Sequence, residues 1–227
     1  LWLAYERLQG EKSWWKHYVN SMPNNEDFDD FVDLWSDEEL AALLDPAAAR
    51  MAIGSRASIS LQFSQLGALV KEYFEEHKEQ GDACVEGLRT FASSLTQDVF
   101  RWACWAVDSR TFLDRRSTEN SLPVLIPFAD MLNHHPTHAD SAEFESNYFA
   151  MVADRDLRAG GMLYNSYGRR TNRDLLLTYG FVLQNNPWDY VSIRLPWAGL
   201  TPQRVDEPFL RAKLSIISQY PDSDLGH

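Results

Sequence analysis

Three groups of polar side chains interrupt otherwise apolar stretches of the chain. They are Asp130 with Asn133 and His134; Tyr164 with Asn165, Ser166 and Tyr167; and Asn172 with Tyr179. Each follows a strand-like run or lies on the helix after it, and loops at strand ends are where ligands usually bind. The three could converge on one pocket, although their spacing does not require it. His134, His135 and His138, with Asp130 and Asp140 nearby, also have the residue types of a metal site. Pro136 interrupts any helix that would align them, which argues against a metal.

The elements that must carry these groups fall into two halves. The first half reads as helices. Trp2, Tyr5 and Leu8 recur at helical spacing, and Trp14, Trp15 and Tyr18 continue an apolar face until Met22-Pro23 ends it. The acidic stretch Glu26, Asp27, Asp29, Asp30 and Asp33 reads as a solvated loop. Ser36 and Glu39 form a capping-box pattern, with Trp35 and Leu40 placed for a hydrophobic staple and Leu40, Leu43 and Leu44 as the buried stripe. Leu66, Leu69, Val70, Tyr73 and Phe74 predict an amphipathic helix. Thr96 caps another, with Val99, Trp102, Ala103 and Ala106 on one face.

The character changes near Ser121. Leu122–Ile126, Asn147–Ala153 and Met162–Asn165 read as strands, and Gly160-Gly161 as the turn between the last two. Thr171 caps a helix to Tyr179, with Asp174 at its third position and Gly180 as the stop. Tyr190–Leu195 reads as a strand and Phe209–Tyr220 as a helix.

The bulk properties narrow the partners. The chain has 227 residues and a formal net charge of −12. Such a surface repels phosphate backbones, which excludes direct nucleic-acid binding and suits a basic protein segment. Cys84 and Cys104, both in helix-like segments, read as buried thiols of a reducing compartment; two cysteines cannot form a cysteine-only zinc site. No apolar run approaches the ~20 residues of a membrane span. The expected state is a soluble intracellular monomer of cytoplasm or nucleus, with an organelle left open. The start at Leu1, without methionine or a signal-peptide pattern, reads as part of a longer chain.

Ile126-Pro-Phe-Ala-Asp-Met-Leu-Asn-His134, then Asn165-Ser-Tyr-Gly168, then Asn172-Arg-Asp-Leu-Leu-Leu-Thr-Tyr-Gly-Phe181 resemble the C-terminal half of the SET domain. The resemblance is to the protein methyltransferase branch containing Rubisco large-subunit lysine methyltransferase and actin histidine methyltransferase. Lys12–Tyr18 with Met22-Pro23, and Trp35–Leu40, resemble the helical segment that this branch inserts into its SET domain.

The resemblance implies an α+β fold: small sheets with a threaded C-terminal segment and a large helical insert. The insert would occupy residues 1–120, the catalytic part 121–185, and the beginning of a substrate-binding helical domain 186–227. It also implies an S-adenosylmethionine-dependent enzyme that methylates a protein lysine. A protein-histidine methyltransferase, a SET-like scaffold without catalysis, and a helical adaptor with a fortuitous motif are the alternatives.

Residue by residue, Tyr167 matches the catalytic tyrosine. Arg110, Asn133, His134, Tyr179 and Phe181 match cofactor-binding positions; Phe112, Asp130 and Tyr179 match positions on the substrate side. Asparagine offers donor and acceptor in one fork, and the guanidinium of Arg110 suits a bidentate grip on a carboxylate. His134 is expected to act largely through its backbone. Where the histidine-modifying relative has an asparagine two residues after the matching arginine, this chain has Phe112, which favours lysine over histidine as the target.

Two departures from the family pattern stand out. The turn before the last strand has Gly160-Gly161-Met162 in place of a glycine followed by glutamate. The glycine-bearing strand and turn that cradle the cofactor are not found within the chain and would precede Leu1.

Overall fold

The structure is a computed structural model describing residues 1–28, 31–77, 82–114, 122–137, 141–145 and 147–191. Its first half is helical: α1 Trp2–Gln9, α2 Lys16–Val19, α3 Asp37–Ala42, α4 Pro46–Glu76, α5 Ala83–Ser94 and α6 Gln97–Arg110. Then follow β1 Phe112–Asp114, β2 Leu122–Val124, β3 Asn133–His134, β4 Ser141–Phe144, β5 Phe149–Val152, β6 Tyr164–Asn165 and α7 Asn172–Tyr179. Among the described residues these strands form three two-stranded sheets. The mixed architecture is the α+β SET arrangement with a helical insert that the resemblance implies.

Local chemistry sets the helix starts. Ser36 Oγ accepts the Glu39 amide at 3.2 Å and a Glu39 carboxylate oxygen accepts the Ser36 amide at 2.7 Å, the capping box predicted for α3. The stripe predicted beyond it is shorter than expected. Leu40 is buried, but α3 ends at Ala42, and Leu44 turns to φ 55° and is 88% exposed. Leu66–Phe74 is only the end of the 31-residue α4, which starts where Asp45 accepts the amides of Ala47 and Ala48, with Pro46 at the first position. Thr96 caps α6 by accepting the Val99 amide.

The helical core is aromatic. Phe28, Phe31, Phe100, Trp102 and Trp105 are buried with Leu3, Tyr18 and Val19. Trp102, fully buried, gives its indole N–H to the Pro23 carbonyl at 2.7 Å. Three expectations need correction here. In α1 the buried residues are Leu3 and Ala4, while Trp2 and Tyr5 are exposed; Trp14 is 89% exposed. Asp33 is not solvated: it is 5% exposed and accepts from Ser55 Oγ at 2.8 Å and Trp105 Nε1 at 3.0 Å. Cys84 is exposed, because it stands at the capped start of α5 with its amide donating to Asp82.

A second core joins Val32, Leu40 and Ala52 to Leu176 and Leu177 of α7. Arg173 on α7 donates to Asp45 at 2.8 Å, so the helical first half and α7 share both apolar and ionic contacts. α7 has the predicted capping box between Thr171 and Asp174 and stops at Gly180, φ 76°. A Cβ there would lie 3.1 Å from the Phe31 ring, so position 180 needs both the left-handed backbone and the missing side chain.

The turn at Gly160 exists but joins no hairpin. β5 pairs antiparallel with β4, Phe144 opposite Phe149, and β6 pairs parallel with β3, Asn133 opposite Tyr164 and His134 opposite Asn165. The predicted boundary near 120 falls outside the described residues. Compactness divides the chain after Asp189; of the second unit, Tyr190–His227, only Tyr190 and Val191 are described and neither is in a strand. The rest of the predicted 190–195 strand and the 209–220 helix lie outside the described residues. Among the described residues no helix is long and apolar enough to cross a membrane.

Candidate active site

The short parallel pair β3–β6 sets the site. It aligns Asn133-His134 beside Tyr164-Asn165, and the bond from the His135 amide to the Asn165 carbonyl, 3.0 Å, extends it by one step. Tyr167 follows two residues after β6. Its amide donates to His134 Nδ1 at 3.1 Å and its ring stacks on His134 with centroids 5.0 Å apart. Gly168, at φ 94°, then reverses the chain, and Arg170 Nε returns to the Tyr167 carbonyl at 3.0 Å.

The Tyr167 hydroxyl donates to the Leu132 carbonyl at 2.9 Å. A phenol has one proton to give, so its oxygen can only accept from any further group. Burial, reinforced by Tyr179 and opposed by Arg110, pushes its pKa up to about 12, so the phenol stays neutral at physiological pH. Tyr179 also stacks on it at 4.5 Å, and its own pKa is raised by burial against the opposing charge of Arg170. Phe181 stands 6.5 Å from Tyr167 and 6.3 Å from His134. Burial lowers the His134 pKa, and its ring therefore stays a neutral acceptor.

A cavity of about 780 Å³ opens on these residues, with Arg110, Phe112, Asp130, Tyr167, Arg170 and Tyr179 in its wall. Asp130 is on a short 3-10 turn entered through Phe128, whose φ of 72° is unusual for a phenylalanine. The carboxylate is buried, and burial raises its pKa; the Tyr18 hydroxyl, donating at 2.7 Å, and Arg110, 3.6 Å away, offset that rise only in part. Arg110 Nη1 also donates to the Asp130 carbonyl at 3.1 Å. Phe112 is half-buried on β1, edge-on to Phe149 at 5.2 Å.

Of the residues singled out from sequence, Arg110, Phe112, Asp130, Tyr167 and Tyr179 meet in the cavity wall. His134 and Phe181 support Tyr167 from behind, and Asn133 is exposed on β3 beside them. Asn172 does not join them: its carboxamide ties the Leu183 amide and carbonyl, each at 3.0 Å, and so pins the chain after Gly180. Tyr18, Leu132 and Arg170 were not expected from sequence. Tyr18 lies within the insert motif, but nothing in that motif pairs it with Asp130. Among the described residues no cluster of histidine, cysteine and acidic side chains could hold a metal; His138 and Asp140 lie outside them.

The fold, with its parallel strand pair leading into a stacked tyrosine and a capped helix, is that of a SET domain. Solved structures of Rubisco LSMT are similar to it. The SET domain of LSMT bound to lysine and AdoHcy covers 97% of this chain at a TM-score of 0.58 and 25% identity, and 46% of that chain is matched. Rubisco LSMT bound to AdoMet gives 0.57 and 26%.

Among curated proteins, the chloroplastic fructose-bisphosphate aldolase-lysine N-methyltransferase of Arabidopsis thaliana is 31% identical over all of this chain and 44% of its own length. The actin-histidine N-methyltransferase of Drosophila melanogaster is 28% identical over 85% of this chain and 37% of its own length. The chain is thus similar to SET-domain lysine and histidine methyltransferases, and it spans less than half the length of these relatives. No family model matches it.

Proposed function

We propose that the protein is an S-adenosylmethionine-dependent protein-lysine N-methyltransferase, and that its chemistry takes place in the cavity walled by Arg110, Phe112, Asp130, Tyr167 and Tyr179. The observation that carries this reading is the neutral Tyr167 phenol, fixed by His134, Tyr179 and the Leu132 carbonyl, with only lone pairs left to offer. S-adenosylmethionine, when bound, supplies an electrophilic methyl group on a sulfonium.

A lysine amine must be neutral to attack such a group, yet its ordinary pKa is near ~10.4. A cavity walled by Phe112, Tyr167 and Tyr179 disfavours the charged form, and oxygen acceptors such as that of Tyr167 hold the amine hydrogens and its direction. The guanidinium of Arg110 fits a carboxylate, and Asn133, His134, Tyr179 and Phe181 would hold the cofactor. Asp130 and Phe112 line the substrate side. Tyr167 is the catalytic residue in this reading.

The partner is a protein bearing the target lysine, and an acidic chain suits a basic segment. Residues 1–120 would be the SET insert, 121–185 the catalytic part and 186–227 the start of a substrate-binding domain, in a soluble monomer of cytoplasm, nucleus or an organelle. The test of the site is calorimetric titration of the full-length protein with S-adenosylhomocysteine. Binding weakened at least tenfold by Asn133→Ala supports the assignment; unchanged affinity removes Asn133 from it.

A further inference from the structure

The bond between Tyr18 and Asp130 spans 112 residues and is the contact through which α2 of the insert reaches the cavity wall. Tyr18 is nine-tenths buried in the helical core, with Trp15 edge-on to it at 6.3 Å. Its hydroxyl meets Asp130 Oδ2 at 2.7 Å. The same oxygen lies 3.6 Å from Arg110 Nη1, which also binds the Asp130 carbonyl. The other oxygen, Oδ1, is buried and has no hydrogen-bond partner among the described residues. One phenol and one guanidinium therefore stand in for the water that the carboxylate gave up. A buried carboxylate this thinly solvated depends on each donor it keeps.

We infer that Tyr18 is a positioning residue: it holds the Asp130 carboxylate ionised and in one orientation, and the carboxylate in turn fixes Arg110 in the cavity wall. This rests on the reading of the cavity as the methyl-transfer site. Arg110 reaches Asp130 from the last residue of α6 through both the main chain and the carboxylate. If the carboxylate is protonated or swings away, Arg110 keeps only the main-chain bond and gains freedom to leave the wall. The charged and titratable groups facing Asp130 are Tyr18 from α2, Arg110 from α6 and Tyr167 beyond β6. Of these, Tyr18 has the shortest contact, and its phenol is driven far above its ordinary range by burial and by the carboxylate, so it remains a donor throughout the working pH range.

The variant is Tyr18→Phe in the full-length protein, which keeps the ring in the core and removes the donor. Methyl transfer to a protein substrate is measured as kcat/KM across pH, with melting temperature alongside. The expected result is an acid limb moved upward by about one pH unit, because a carboxylate losing a donor is easier to protonate, with melting lowered by a few degrees. A fall in rate at all pH values with the limb unmoved would make Tyr18 merely structural and overturn the inference.

A carbon-13 titration of the Asp130 carboxyl, assigned with Asp130→Asn, reads the same effect without activity. An upward shift in Y18F supports the positioning role, and an unchanged titration overturns it. A wild type that transfers no methyl group counts against the reading of the cavity alone, and the carboxyl titration then decides on Tyr18.

Discussion

His134 and Tyr167 are 33 positions apart, yet the imidazole Nδ1 of the first accepts the backbone N–H of the second at 3.1 Å while their rings stack. A protonated imidazole has no lone pair to accept with. The position of Tyr167 therefore depends on a neutral His134, and burial secures that by lowering the His134 pKa.

The sign of the pH effect follows. The unfolded chain takes up a proton near the ordinary histidine value of about 6.5, and the folded chain only at lower pH. The contribution of neutral His134 is fully present above about pH 6.5 and is lost as pH falls from there through the folded value. His134→Phe keeps the stacking ring but removes acceptor and titration together. Its melting curve should lie below wild type at pH 8, and the gap should narrow on acidification. Parallel curves from pH 8 to pH 5 would remove His134 from the account.

Tyr167→Phe tests the phenol oxygen directly. The ring keeps its stacks on His134 and Tyr179, and the fold loses the bond to the Leu132 carbonyl, worth about 1 kcal/mol or a few degrees of melting. Methyl transfer should fall by at least ~100-fold, as for other oriented polar groups at a reacting centre. Near-normal turnover would take Tyr167 out of the mechanism.

Gly180 tests how α7 is seated against the helical first half. Gly180→Ala places a methyl group 3.1 Å from Phe31 in a left-handed backbone. The expected loss is about 1–3 kcal/mol, read from urea unfolding of wild type and variant. A variant as stable as wild type would mean that Phe31 and the α7 stop yield freely.

What the sequence disclosed was local. Ser36 with Glu39 and Thr171 with Asp174 are three residues apart, and each pair closes on its own helix start, so spacing alone predicts them. Gly180 as a left-handed stop is equally local. The site motifs were legible through family resemblance, and geometry brings Arg110, Phe112, Asp130, Tyr167 and Tyr179 to one cavity.

What stayed hidden depends on distant partners. The acidic stretch gave no sign that Trp105 and Ser55 would bury Asp33. Gly160-Gly161 between two strand-like runs looks like a hairpin, and nothing local shows that β6 leaves to pair with β3, 31 residues before it. Tyr18 reads from sequence as one more aromatic of a helical face, and its partner Asp130 lies 112 residues away.

Phe112 bears on the choice of target. It is half-buried in the cavity wall, packs on Phe149 and offers no hydrogen bond to an imidazole. Phe112→Asn should lower lysine methylation at least several-fold by wetting the wall. Lysine activity at wild-type level in this variant would show that Phe112 does not set the polarity of the channel.

The full-length protein incubated with methyl-labelled S-adenosylmethionine and a protein extract, followed by mass spectrometry of the labelled residue, addresses the central claim most directly. The account predicts label on the side-chain nitrogen of lysine, abolished by Tyr167→Phe. Label found solely on histidine, or no transfer from the intact protein, would contradict it.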